Sequence, residues 1–159
     1  MKKRLWKTAL AAAALVTLGG AAVQAAEEQS GKQHQGIEGN WDVRITVVRC
    51  DTGQALFSGR AIVLNGEGGS VTGITDNFMH SSQLGTWRHV RGQSYTSVGR
   101  FFIFNADGSF AGSEEVSADV ELSTDANEYT DTATSQIFNT SDQVISTGCA
   151  IAMATRLLE

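Results

Sequence analysis

The sequence predicts an all-β chain: an eight-stranded antiparallel up-and-down β-barrel closed by pairing of its first and last strands. Three observations point there. Runs of Val, Ile, Thr and aromatic residues alternate with polar ones and are separated by Gly, Asn and Asp clusters. The chain has 17 Gly, no Pro and few long helical patterns. Of its two cysteines, Cys50 ends the first predicted strand and Cys149 lies in the last.

Taken in order, residues 1–25 read as an export signal. Met1 to Lys7 carries four basic residues, Thr8 to Ala22 is almost wholly apolar and small, and Val23-Gln24-Ala25 offers small residues before a cleavage point. The apolar run is short for a bilayer, and no Cys follows it to accept a lipid, so no stable membrane insertion is expected. Residues 26–38 are polar and aperiodic and read as a flexible arm, leaving 39–159 as the one barrel domain. The product should be exported, periplasmic or extracellular, where an even cysteine count makes one disulfide the default.

Strands are expected near 41–50, 56–65, 69–75, 85–91, 94–105, 109–123, 127–138 and 143–157. The connections are short. Arg91-Gly-Gln-Ser94 suits a two-residue hairpin, Asn105-Ala-Asp-Gly108 a three-residue one, and Asn139-Thr-Ser-Asp142 a four-residue one. Such a meander leaves two raw edges, and closure removes both. A Cys50–Cys149 disulfide makes strands one and eight neighbours, because the two Cα atoms must approach within about 7 Å. If Cys50 faces Cys149, then Trp41, Val43, Ile45 and Val47 share the interior with Ala150, Ala152, Ala154 and Arg156. Arg156 falls diagonally across from Trp41, within reach of its indole.

Gly39-Asn-Trp41 and Arg156 resemble the Gly-x-Trp and Arg signatures of the calycin (lipocalin-like) barrels, in which Trp and Arg close the floor. The resemblance implies a barrel whose interior receives a small ligand. The stretch from Gly85-Thr-Trp87 through Phe101 to Gly112, then Thr147-Gly-Cys149 and Ala154-Thr-Arg156, is also similar to a family of secreted bacterial proteins of unassigned function. The chain departs from typical lipocalins in its shortness and in lacking a C-terminal helix pattern.

Carrying the register through both hairpins puts Trp87 and His89 on the inner face with Thr96, Val98, Arg100, Phe102 and Phe104. Phe110, Gly112, Glu114, Val116, Ala118 and Val120 join them, followed by Tyr129, Asp131, Ala133, Ser135 and Ile137. Arg100 then stands opposite Glu114 inside the barrel, where an ion pair is costly to desolvate. Three readings account for it. It is an internal salt bridge, or a one-residue register shift turns both charges outward. Alternatively Arg100 holds a carboxylate or polar head while Trp87, Phe102, Phe104 and Phe110 hold an apolar body. In the third, Glu114 or His89 serves as a general base for a barrel isomerase or cyclase.

The loop from Asp76 to Leu84 should stand at the barrel mouth, with Phe78 and Met79 as an apolar lid or plug. Val48, Ile151 and Met153 offer an outward apolar stripe for a homodimer, or for an envelope or stress protein that acts through its surface; otherwise the chain is monomeric.

Composition excludes several classes. With 17 acidic and 8 basic residues beyond the export signal, the net charge there is −9, which disfavours nucleic acid as a partner. Three scattered His give no zinc spacing, and no His follows residue 89 to bind haem, so no metal or other cofactor is expected. Asp51-Thr52-Gly53 occurs once, whereas aspartic-protease chemistry needs two carboxylates sharing a proton. Lys32 is the sole Lys beyond the signal, against Schiff-base chemistry, and no Ser has a nucleophile-elbow context. The expected partner is a small apolar or amphipathic molecule.

Overall fold

The computed structural model describes residues 36–157. The segment expected to be an export signal, residues 1–25, and the expected arm as far as residue 35 lie outside the described residues. Eight antiparallel strands follow one another: β1 (Gly39–Val48), β2 (Ala55–Gly66), β3 (Ser70–Thr75), β4 (Gln83–Arg91), β5 (Ser94–Phe104), β6 (Phe110–Leu122), β7 (Glu128–Phe138) and β8 (Val144–Arg156). Each pairs with its sequence neighbours, and β8 returns to β1, so the sheet is a closed barrel. Its topology is compatible with a calycin-like fold.

The closing ladder sits two residues from the expected register. Val48, not Cys50, faces Cys149, and Trp41 stands directly opposite Arg156. A two-residue shift preserves the strand's period, so the inward set Trp41, Val43, Ile45, Ala152 and Ala154 keeps its face. The disulfide is present, joining Cys149 to Cys50 just past the end of β1 with Cα atoms 5.2 Å apart.

One end of the barrel is filled. Trp41 is fully buried, and around it pack Val43, Leu122, Ala126, Tyr129 and Ala154, with Tyr95 and Val120 above. The Arg156 guanidinium lies 4.2 Å over the indole of Trp41. It donates to the carbonyls of Ala126 (2.7 Å), Gly36 (2.8 Å) and Glu38. Gly36 to Glu38, which the sequence assigned to the arm, are thus built into this floor. Ile37 is 2% exposed, and its carbonyl accepts the indole N–H of Trp41 at 2.9 Å. Such a floor needs a cation with several fixed donors over an aromatic face, which Arg provides.

Candidate functional site

Above the floor the inward positions become small. Gly59, Gly73, Ala118, Ala133, Ala150 and Ala152 all face the axis, and an eight-stranded barrel lined by such residues leaves volume unfilled. The result is a cavity of about 670 Å³ that opens at the end opposite Trp41. Its walls are mainly apolar, with Ile45, Val63, Phe101, Ile103, Val116 and Ile137 supplying the larger side chains. The disulfide forms part of the rim.

The structure divides the expected site residues into three groups. Glu114 and Tyr129 line the cavity, as do Asp131, Ala133, Ser135 and Ile137 of β7. Trp87 and His89 stand at the floor end. Trp87 packs edge-on against Tyr95 and donates its indole N–H to Gly66 O at 3.0 Å, completing the closed end. His89 is exposed, with Nε2 2.9 Å from Gly92 O, outside the cavity lining. Arg100, Phe102, Phe104 and Phe110 are on the outside, which corrects their inward placement.

The correction has a specific cause. The expected pairs Arg91–Ser94 and Phe104–Phe110 do form beside their turns. Beyond each turn lies a one-residue bulge, at Val90 and at Ala111, so His89 faces Tyr95 and Ile103 faces Gly112. Gly112 takes the unusual backbone angle (φ 147°) that the second bulge requires. Both bulges rotate β5 relative to its neighbours in the same sense. Tyr95, Ser97, Gly99, Phe101 and Ile103 therefore turn inward, while Thr96, Val98, Arg100, Phe102 and Phe104 turn outward. Phe101, not Arg100, faces Glu114. Arg100 instead donates to Ser113 Oγ at 2.8 Å, pairs with Asp142 at 3.3 Å, and covers Phe138. Phe102 and Phe110 meet edge to face on the outer surface, each about half exposed.

At the mouth the 76–82 loop is tied to β5. Phe104 N donates to Met79 O, and Ser81 N donates to Phe102 O. This directs His80 onto Phe101 with ring centroids 4.6 Å apart, whereas Phe78 is 86% exposed. Neither Phe78 nor Met79 lines the cavity, so the lid expectation is corrected; His80 and Asn77 occupy the rim. Asn77 lies 3.0 Å from His80 Nε2 and can donate to it. Burial holds the His80 imidazole below its ordinary value, opposed by the charge of Glu114. Val48 also belongs to the rim rather than to an outer stripe, whereas Ile151 and Met153 are exposed outside. Asp51 is paired with Arg49 in an exposed turn, an ordinary setting for such a triplet.

Asp131 faces inward, as the alternation of β7 predicts, and its surroundings set it apart from Glu114. The alternation of β7 sets it one inward step above Tyr129, opposite Val120 on β6 and Ala152 on β8. With apolar neighbours on both sides, burial pushes its carboxyl up to about 6. The Tyr129 phenol is raised too, first by burial and then by the Asp131 charge, so it stays protonated at neutral pH. No protein family, curated protein or solved structure matches the chain.

Proposed function

We propose that this barrel is a small-molecule carrier or receptor, exported to an oxidising compartment, whose cavity receives a mainly apolar ligand. The observation that supports the reading is the unfilled, apolar-walled volume above a well-packed floor. A barrel of this size could be filled by side chains, and here small residues hold the middle open. The disulfide is consistent with an oxidising compartment, as the export signal read from the sequence requires. The kinship with secreted bacterial proteins of unassigned function belongs to this same proposal. Arg100 is not the residue that meets a ligand's polar end, because it faces outward.

Native mass spectrometry of the protein purified from its own host tests the reading. A stoichiometric adduct is expected, and Ala133→Phe, which projects a ring into the cavity, should abolish it while Ile151→Lys on the outer wall leaves it intact. Absence of any adduct, together with no uptake of a neutral apolar dye such as N-phenyl-1-naphthylamine, would remove the proposal.

A second reading rests on Glu114, which faces the cavity across from Phe101 and acts electrostatically on His80. In this alternative the barrel is an isomerase or cyclase with Glu114 as the proton acceptor, and His89 is outside the cavity and takes no part. Conversion of a bound adduct that stops in Glu114→Gln while binding persists would favour it.

A further inference from the structure

The cavity's charged groups define the ligand more narrowly than its shape does. Asp76, Glu114 and Asp131 line it. The two guanidiniums that reach its rim are engaged elsewhere, Arg60 by Asp42 at 2.6 Å and Arg49 by Asp51 at 3.2 Å. His80 can accept from Asn77 at Nε2, and its burial disfavours the imidazolium. The interior therefore presents carboxylates and no uncommitted cation among the described residues. Of the three carboxylates, Asp131 is the deepest. It lies beside Ala152, which faces Ile45, one step above the floor ring of Tyr129, Ala154 and Val43. Among the described residues no side chain hydrogen-bonds to it. A carboxylate in such a position is costly to keep ionised unless something entering the cavity supplies a donor or a positive charge.

We infer that the ligand's polar end is a hydrogen-bond donor, most favourably an alkylammonium group seated on Asp131, so that the occupant is an apolar amine rather than a fatty acid. This rests on the cavity-binding reading and adds the head group's chemistry and its contact residue. An ammonium there gains a charge-assisted hydrogen bond in low-dielectric surroundings, an alcohol gains a weaker one, and a carboxylate meets like charge.

Isothermal titration calorimetry of the full chain at pH 8 with octylamine, 1-octanol and octanoate separates the outcomes. Octylamine is expected to bind about tenfold or more tightly than octanol, and octanoate more weakly than either. Asp131→Asn should reduce the amine to the alcohol's affinity while octanol binding, the control for an intact cavity, is retained. Glu121→Gln, on the exposed outer face of β6, should leave the amine preference unchanged. Octanoate binding as tightly as octylamine, or an amine preference untouched by Asp131→Asn, overturns the inference while the cavity reading survives. Failure of all three to bind removes the cavity reading and this inference with it.

Discussion

At the scale of single residues, Asp131 and Arg156 show opposite uses of a charge in a barrel. Arg156 is satisfied on every side: three carbonyls accept from it and an indole lies beneath it. Arg156→Lys keeps the charge but loses the planar fork, and leaves floor carbonyls unpaired. Its expected cost is about 2 to 4 kcal/mol, measured by urea unfolding. Asp131 accepts no side-chain hydrogen bond among the described residues, and its neighbours Val120, Ala152 and Ile45 are apolar, with Tyr129 a titratable group beside it. Burial raises its carboxyl from 3.8 to about 6, so the folded state favours the protonated form. Stability should therefore fall as pH rises from about 4 through about 6, and the loss is complete above that window. Asparagine cannot ionise. Asp131→Asn should accordingly stabilise the empty protein by about 1 to 3 kcal/mol at pH 8, with the gain vanishing near pH 4. Equal effects of the substitution at both pH values would contradict the burial argument.

At the scale of elements, all eight strands and the first-to-last closure were legible, because period-two alternation and turn residues act locally. The face of β5 was not. Alternation identifies which residues share a face but not which face is inward when both carry large apolar groups, and β5 has Phe101 and Ile103 on one side with Phe102 and Phe104 on the other. The hairpin turns set the register beside them, and both turn pairs form; the bulges at Val90 and Ala111 then reverse the face that register implies. Gly112 was a signal for the second bulge, since an isolated Gly within a strand often marks one. Nothing as clear marks Val90. Two missed bulges misplaced Arg100, Phe102 and Phe104, while the candidates on β6 and β7 that needed no further register change, Glu114 and Tyr129, were placed in the cavity wall. The glycines of β4 and β5 supply a test at this scale. A Cβ on Gly85 would collide with the backbone of Val98 and Gly99 on the facing strand. Gly85→Val should separate β4 from β5, with a stability loss of about 3 kcal/mol or more or failure to fold, whereas Thr86→Val on the exposed face should be tolerated; circular dichroism and urea melts distinguish them.

At the scale of the whole molecule, stability is concentrated at the two ends of the barrel and function is proposed between them. The aromatic residues are sorted accordingly. Trp41, Trp87, Tyr95 and Tyr129 gather at the floor, and the disulfide clamps β1 to β8 at the mouth across a sequence separation of 99. Reducing that bond should cost about 3 to 5 kcal/mol by freeing so long a closed loop in the unfolded chain. Between floor and rim, Ala118, Ala133 and Ala152 occupy inward positions where Leu or Ile would add buried apolar surface. A chain selected for stability alone would fill this space, since each added buried methylene is worth about 0.8 kcal/mol. The open middle therefore sets stability against capacity, and one substitution can move both. Ala133→Leu projects into unoccupied volume from a strand whose ladder it does not alter. It should raise the urea midpoint, by about 1 to 2 kcal/mol in stability, and reduce uptake of a neutral apolar dye in the same preparation. Coupled movement in those opposite directions is what a binding cavity requires. A stabilised variant with undiminished uptake would place the dye somewhere other than the barrel's interior.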